Sequence, residues 1–144
     1  MQISSRFTIA VHVLTCIEYF AGNKDLNITS EFLAGSVNVN PVIIRRVLLQ
    51  LKSAGFINIS RGKRDITLKK PLDEISLYDV FKAVDSVKGG QLFHFHNAPN
   101  QLCPVGKNIH LILDDSLNSA QLALENELKQ ISLAGLIKKI PVQN

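Results

Sequence analysis

The sequence predicts a mainly α-helical fold with one small β-hairpin. Apolar residues recur at helical spacing along most of the chain, two short segments near its middle alternate with period two, and capping residues stand where each helical pattern begins. The 144 residues, 46% hydrophobic and 19% charged, are enough to bury a core without disulfides or a structural metal.

Three helices are predicted in the first half of the chain. The first covers residues 4–20, and a Gly-Asn pair follows it closely. Thr29 or Ser30 then caps a short second helix. A third helix is predicted over residues 41–53. Asn40 is a strong N-cap, proline stands at the first helical position, and glycine follows the end of the helix.

A hairpin and three further helices are predicted after these. The segments FINIS and DITLK alternate like paired strands. Ser76 and Asp79 have the capping-box spacing at the start of a fourth helix. Residues 91–96, QLFHFH, alternate like a strand, a long helix is expected over 104–128, and Ser132 caps a last short helix.

The third helix has two chemically different faces. At about 100° per residue, its inner arc is aliphatic and faces a core: Ile44, Val47, Leu48 and Leu51. The opposite arc, with Arg45 on its flank, holds Val42, Arg46, Leu49, Gln50 and Ser53. Arginine can read guanine or bridge phosphates, and aliphatic side chains can touch a thymine methyl group. This helix, the second of a helix-turn-helix, is therefore predicted to enter the major groove of DNA.

Basic residues are concentrated in the same half of the chain. Residues 1–72 carry ten Lys and Arg against four Asp and Glu, whereas residues 73–144 carry six against eight. Arg61, Lys63 and Arg64 form the hairpin turn, where they can reach DNA beside the third helix. Three helices and a basic hairpin predict a winged helix-turn-helix DNA-binding domain over 1–72, and 73–144 then hold a linker helix, a sensor loop and dimerisation helices.

Four segments of the chain resemble the Rrf2 family of bacterial winged-helix transcription regulators, which includes IscR, NsrR and CymR: MQISSRFTIAVHVL, NPVIIRRVLLQLKSAGFI, LKKPLDEISLYDVFKAVD and CPVGKNI. The resemblance runs from Met1 to about Leu128. It implies a homodimer that binds a palindromic operator and represses transcription. It also implies DNA contacts from the starts of helices one and two, the recognition helix and the wing: Ser4, Arg6, Thr29, Ser30, Val42, Arg45, Arg46 and the 61–64 turn.

The chain departs from the family pattern at two places. The family wing commonly carries a Gly-x-Gly-Gly-Tyr type of turn, whereas Gly62 is followed here by Lys63 and Arg64, so wing contacts are expected to depend more on charge. Iron–sulfur members carry three closely spaced cysteines before the long helix, and this chain has Cys103 alone there. Because a cluster needs several thiolates, we expect no iron–sulfur cluster and no other cofactor.

The long helix carries a narrow apolar stripe at steps of three and four residues: Ile109, Leu113, Leu117, Ala120, Leu124 and Leu128. Ile112 and Ala123 widen it. A helix of this length is about 36 Å long, more than a small winged-helix domain covers, so the stripe predicts pairing with a second copy. The alternative is that the stripe packs only on its own domain.

Cys103 directly precedes Pro104 at the predicted start of the long helix. The helix N-terminus lowers the pKa of a nearby thiol and favours reactive thiolate. One hypothesis is therefore a redox or electrophile sensor, and the simpler alternative is a passive capping or loop residue. His94, His96, Cys103 and His110 also make a zinc or copper site conceivable as a weak alternative.

Other classes of function fit the sequence poorly. It contains no P-loop, no dinucleotide-binding glycine motif and no nucleophile elbow, so no enzyme is predicted. The competing hypothesis is a winged-helix module that binds protein without sequence-specific DNA binding, which would be expected to show aromatic or acidic residues on the outer arc of helix three. Two distant cysteines and the lack of a long apolar run favour the cytoplasm and exclude a membrane span.

Overall fold

The computed structural model describes residues 3–60 and 65–141 of the chain, and these residues form six α-helices and one hairpin. The elements are α1 Arg6–Phe20, α2 Ser30–Val37, α3 Pro41–Ser53, β1 Ile57–Ile59, β2 Ile66–Leu68, α4 Leu77–Ala83, α5 Pro104–Lys129 and α6 Leu133–Ile137. Short 3-10 turns lie at Leu72–Glu74 and Lys88–Gly90. The predicted fold class and the order of the helices are confirmed.

Predicted capping residues set the starts of several helices. Thr29 Oγ1 accepts a hydrogen bond from the backbone N–H three residues later, at 3.1 Å. Asn40 Oδ1 accepts one from the N–H two residues later, at 2.9 Å. Ser76 and Asp79 form the full reciprocal capping box. In α2, α3 and α4, side chains therefore satisfy backbone donors that the first turn of the helix leaves without a partner.

The hairpin is antiparallel, and its second strand is hydrogen-bonded on both edges. Asn58 lies opposite Thr67, and Ile59 lies opposite Ile66. On its other edge, β2 receives support from the loop between α1 and α2, because the Ile66 N–H donates to the carbonyl oxygen of Ile28 at 3.2 Å. The end of β2 next to the turn is thus fixed to the helical body. Its turn, residues 61–64, lies outside the described residues.

One hydrophobic core joins elements from both halves of the chain. It contains Leu14 of α1, Val47 of α3, Val80 of α4 and Leu133 of α6, all of which are fully buried. The packing therefore continues across the predicted boundary between residues 72 and 73. That division stays a prediction about the roles of the two segments.

The predicted strand over residues 91–96 is wrong. All six residues are described, and they form irregular backbone after the turn Lys88–Gly90. Leu92 is buried, and its N–H donates to Gln121 Oε1 of α5 at 3.0 Å, while Gln121 Nε2 donates to the Gly90 carbonyl at the same distance. A strand needs a partner along its length, and this segment pairs with a helix side chain instead.

Within residues 3–60 and 65–141, no single helix is long and apolar enough to cross a membrane, although α2 and α3 together pass that test by length and composition as a bent pair.

Candidate nucleic-acid interface

Helices α2 and α3 form a helix-turn-helix. Asn38 ends α2 in the left-handed conformation, with φ 63°, and its N–H donates to the Ala34 carbonyl at 2.8 Å. Asparagine tolerates this conformation better than most residues. The chain then turns through 112° into α3, within the range typical of helix-turn-helix units. The capped start at Asn40 fixes where the second helix begins.

The two faces of α3 lie as its sequence predicts. The inner residues Ile44, Val47, Leu48 and Leu51 are all buried in the core. Most of the outer residues are exposed, namely Val42, Arg46, Leu49 and Ser53, and the flanking Arg45 is exposed as well. Leu49 keeps 61% of its surface open. We call these five residues the outer face of α3, and the buried inner face holds it in a fixed orientation.

Gln50 departs from this arrangement. It was predicted on the exposed arc, but it is half-buried, and its Oε1 is buried without a hydrogen-bond partner in the described part of the chain. Gln50 lines a shallow concavity with Ala83 and Asp85 near the end of α4. The helical wheel of α3 alone could not show that α4 packs against this side.

Arg45 and Arg46 have different surroundings. Arg45 Nη2 lies 3.5 Å from Glu31 Oε1 at the start of α2. The backbone N–H of Glu31, then the Ser30 hydroxyl and Arg45, hold the pKa of Glu31 below its ordinary value, so the carboxylate is charged near neutral pH. Arg46 lies nearer the middle of the outer face, and none of the ion pairs between described residues includes it. Sequence reasoning identified both arginines and missed Glu31.

The start of α1 adjoins the end of α4. Ser4 N–H donates to the Ser86 carbonyl at 2.8 Å, and the Ser4 hydroxyl accepts from Arg6 Nε at 3.3 Å. Arg6 is exposed, and its Nη2 also lies 3.5 Å from the carbonyl oxygen of Asp85. Ser4 therefore orients Arg6, and the guanidinium stays open to an anionic partner.

The remaining predicted contact residues divide into two groups. Thr29 and Ser30 are half-buried, and both hydroxyls take part in hydrogen bonds inside the chain: Thr29 as the N-cap of α2, and Ser30 as a donor to Glu31 at 3.1 Å. Arg61, Lys63 and Arg64 of the hairpin turn lie outside the described residues. The predicted contacts of both groups stay predictions.

Helix α5 is long and is covered on one side at most. None of its 26 residues, all of which the structure describes, is buried. The predicted stripe is half-buried except for the exposed Ala120: Ile109, Leu113, Leu117, Leu124 and Leu128. On an adjoining arc of roughly 100°, six exposed residues are small or aliphatic: Val105, Ile112, Ser116, Ser119, Ala120 and Ala123. We call these six residues the outer face of α5, and Ile112 among them is 63% exposed. The half-buried Ile109 and the exposed, charged Glu127 lie on the same arc.

Cys103 occupies the N-cap position of α5 and is partly exposed. The backbone N–H of Gly106, followed by that of Val105, lowers the pKa of its thiol. Its sulfur makes no capping hydrogen bond, so these groups act on it as nearby dipoles. Gly106 is required here, because a β-carbon would lie 2.5 Å from the Asn100 carbonyl oxygen.

The predicted metal-ligand residues come together only in part. The rings of His96 and His110 have centroids 5.7 Å apart, and His110 Nδ1 lies 3.1 Å from Asp114 Oδ1. Among the described residues, no group of three or more His, Cys, Asp or Glu side chains could hold a metal ion.

Fold and outer face together define a winged-helix protein of the kind that regulates transcription, and comparisons with known proteins agree. A family profile named Rrf2, "Iron-dependent Transcriptional regulator", matches residues 3–139. The HTH-type transcriptional regulator YwnA of Bacillus subtilis is 40% identical over 139 residues, which cover 96% of this chain and 99% of YwnA. A crystal structure described as that of a DNA-binding protein is 37% identical, with TM-score 0.71, and covers 92% of this chain and 99% of its own. Staphylococcus aureus CymR shares the fold at 18% identity and TM-score 0.65, over 96% and 100% of the two chains.

The chain belongs to the Rrf2 family. Its relatives are transcriptional regulators, and the family is not enzymatic. The residues do not fit an iron–sulfur cluster of the usual kind, because the chain has two cysteines and they lie in different surroundings. Cys16 is only 7% exposed, within the core on α1, while Cys103 begins α5.

Proposed function

We propose that this protein binds DNA as a homodimer on a palindromic operator and represses transcription by occupying it. The observation that carries the proposal is the outer face of α3, where two exposed arginines and two exposed aliphatic side chains are held by a fully buried inner face. Arginine forks and aliphatic groups are suited to the edges of base pairs in the major groove. A regulator of this kind acts in the cytoplasm, where its DNA target lies.

Roles follow from position on the interface. Arg46, Val42 and Leu49 face outward and contact base edges. Arg45 and Arg6 lie towards the margins of this surface and suit phosphates, as do basic residues of the wing. Ser4, Thr29 and Ser30 support these contacts, because their hydroxyls hold Arg6, α2 and Glu31 in place.

Dimerisation through α5 completes the proposed function. The outer face of α5 is uncharged and exposed, and its serines and alanines would allow another helix to approach closely. A helix of 26 residues extends about 39 Å. A second copy packed along it buries aliphatic groups that are otherwise in water. Two copies related by a twofold axis then present two α3 helices to one palindromic site.

The proposed signal is oxidation or alkylation of Cys103, without a resident cofactor. The lowered pKa gives more thiolate, the form that attacks peroxide. In that step the sulfur takes one oxygen from hydrogen peroxide to form a sulfenic acid, and the O–O bond breaks to release the other oxygen as hydroxide. Because Cys103 begins the proposed dimerisation helix, this change alters the docking of α5.

A salt titration of duplex binding tests the function. The purified protein selects duplexes from a random-sequence pool, and a selected duplex is compared with a scrambled one of the same composition. We expect selective binding that weakens steeply as salt rises, because phosphate contacts release counter-ions. Absence of duplex binding by the dimer at low salt would contradict the proposal and favour a module that binds protein.

A further inference from the structure

Glu31 places a carboxylate beside the outer face of α3. Its Oε1 lies 3.5 Å from Arg45 Nη2, and its Oε2 accepts a hydrogen bond from the Ser30 hydroxyl at 3.1 Å. The side chains of Glu31 and Arg45 are 63% and 56% exposed. They come from the two helices of the helix-turn-helix, 14 residues apart in sequence. The ion pair therefore lies on the surface that a duplex in contact with α3 would cover.

Such a pair has little effect on folding but a larger one on DNA binding. Exposed ion pairs contribute little to stability, because solvent screens them. Every duplex presents phosphates, so an arginine without a partner gains affinity for all sequences alike by counter-ion release. The Arg45 guanidinium has five N–H donors, so while Nη2 is held by Glu31 it can still bind a phosphate that lies in one fixed direction. A duplex bound in the operator register places a phosphate there and keeps the ion pair, whereas an unselected duplex gains this contact only by breaking the pair.

We propose that Glu31 is a positioning residue that sets DNA specificity through Arg45: by holding the guanidinium, it lowers affinity for unselected duplex more than affinity for the operator. The inference rests on the proposed DNA-binding function. Glu31 itself requires no contact with a base. The Ser30 hydroxyl keeps the carboxylate oriented, which gives this residue of α2 a second role beside its place in the first helical turn.

The substitution Glu31→Gln tests the role with little change of shape. Binding is measured over a range of salt to a duplex that the wild-type protein selects and to a scrambled duplex of the same composition. We expect affinity for the scrambled duplex to rise several-fold and affinity for the selected duplex to rise less. The salt dependence on the scrambled duplex should steepen by about one charge. Glu18→Gln is the matched control, because it removes the same charge from an exposed position on α1. This variant should keep the wild-type ratio of affinities for the selected and scrambled duplexes.

A double-mutant cycle separates action through Arg45 from direct repulsion of phosphates. In an Arg45→Ala background, Glu31→Gln should leave both the affinity ratio and the salt slope unchanged. The proposal would be overturned if Glu31→Gln changed the affinity ratio as much in the Arg45→Ala protein as in the wild type. It would also be overturned if Glu31→Gln alone left the affinity ratio at its wild-type value. Thermal unfolding of each variant shows whether α2 remains intact.

Failure of the proposed DNA-binding function and failure of the Glu31 role give different results in these measurements. If the wild-type protein binds no duplex at low salt, the proposed function is wrong and the role of Glu31 falls with it. If the wild-type protein discriminates between the duplexes and Glu31→Gln discriminates equally well, only the role of Glu31 is contradicted.

Discussion

Leu133 donates its backbone N–H to the carbonyl oxygen of Ile75 at 2.9 Å, and its side chain is fully buried. A second bond runs from Leu77 N–H to the Ile131 carbonyl, also at 2.9 Å. These two bonds return the chain, after the long α5, to the segment just before α4. Helix α6 consequently packs on α1 and belongs to the core of the winged-helix unit.

Leu133→Ala should therefore destabilise the folded protein markedly. Removing a buried leucine side chain and leaving a cavity costs about 2–5 kcal/mol. Chemical denaturation followed by circular dichroism measures the change in the free energy of unfolding. Leu102→Ala is a suitable control, because Leu102 is 94% exposed and its truncation should change stability little. Equal stability changes in the two variants would show that α6 is not part of the core.

Ile112→Glu should convert the proposed dimer into a folded monomer. The substitution places a charge in the middle of the outer face of α5, where a second copy would bury it without a partner. Analytical ultracentrifugation gives the oligomeric state, and circular dichroism confirms that the monomer is helical. Asn118→Glu adds the same charge on the opposite, exposed side of α5 and should remain dimeric. A wild-type protein that is monomeric at micromolar concentration would rule out the α5 interface.

Cys103 should react with iodoacetamide at lower pH than an ordinary cysteine. The neighbouring N–H groups lower the pKa of the thiol, so the alkylation rate should rise through a midpoint below that of an ordinary cysteine. In Cys103→Ser the fast reaction should disappear, because Cys16 is buried. A midpoint equal to that of the unfolded chain would show that the helix start does not affect the thiol.

The sensor role of Cys103 requires a separate measurement. Peroxide should change the affinity of the wild-type protein for its selected duplex and leave that of Cys103→Ser unchanged. An identical response in both proteins would exclude Cys103 as the sensor, even if its thiol is reactive.

Local signals in the sequence were sufficient for most helices. Thr29, Asn40 and the Ser76–Asp79 pair each act within three residues of a helix start, so their pattern is complete in the sequence. The inner face of α3 followed from periodicity for the same reason. The helix starts and the buried face of α3 can therefore be predicted without knowing which distant parts of the chain pack against them.

Features that depend on distant partners were not predictable in this way. The alternation of residues 91–96 indicated a strand, but Leu92 is held by Gln121, 29 residues away. Gln50 is half-buried because α4 lies beside it, and the ion pair of Glu31 with Arg45 needs the two helices in their final orientation. Most of the predicted α5 stripe is half-buried, whereas the outer face of α5 is exposed. Helical periodicity alone could not separate the two, because the difference depends on what packs against α5.

Whether α3 reads DNA is decided by comparing the affinities of wild-type protein, Arg46→Ala and Lys138→Ala for a selected duplex at fixed salt. Arg46 lies on the outer face of α3, whereas Lys138 is an exposed lysine just after α6. If Arg46 reads a base edge, its loss should weaken binding by about 1–3 kcal/mol and relax selection at one position, while Lys138→Ala binds like the wild type. Arg46→Ala with wild-type affinity and wild-type selectivity would contradict the assignment of α3 as the helix that reads DNA.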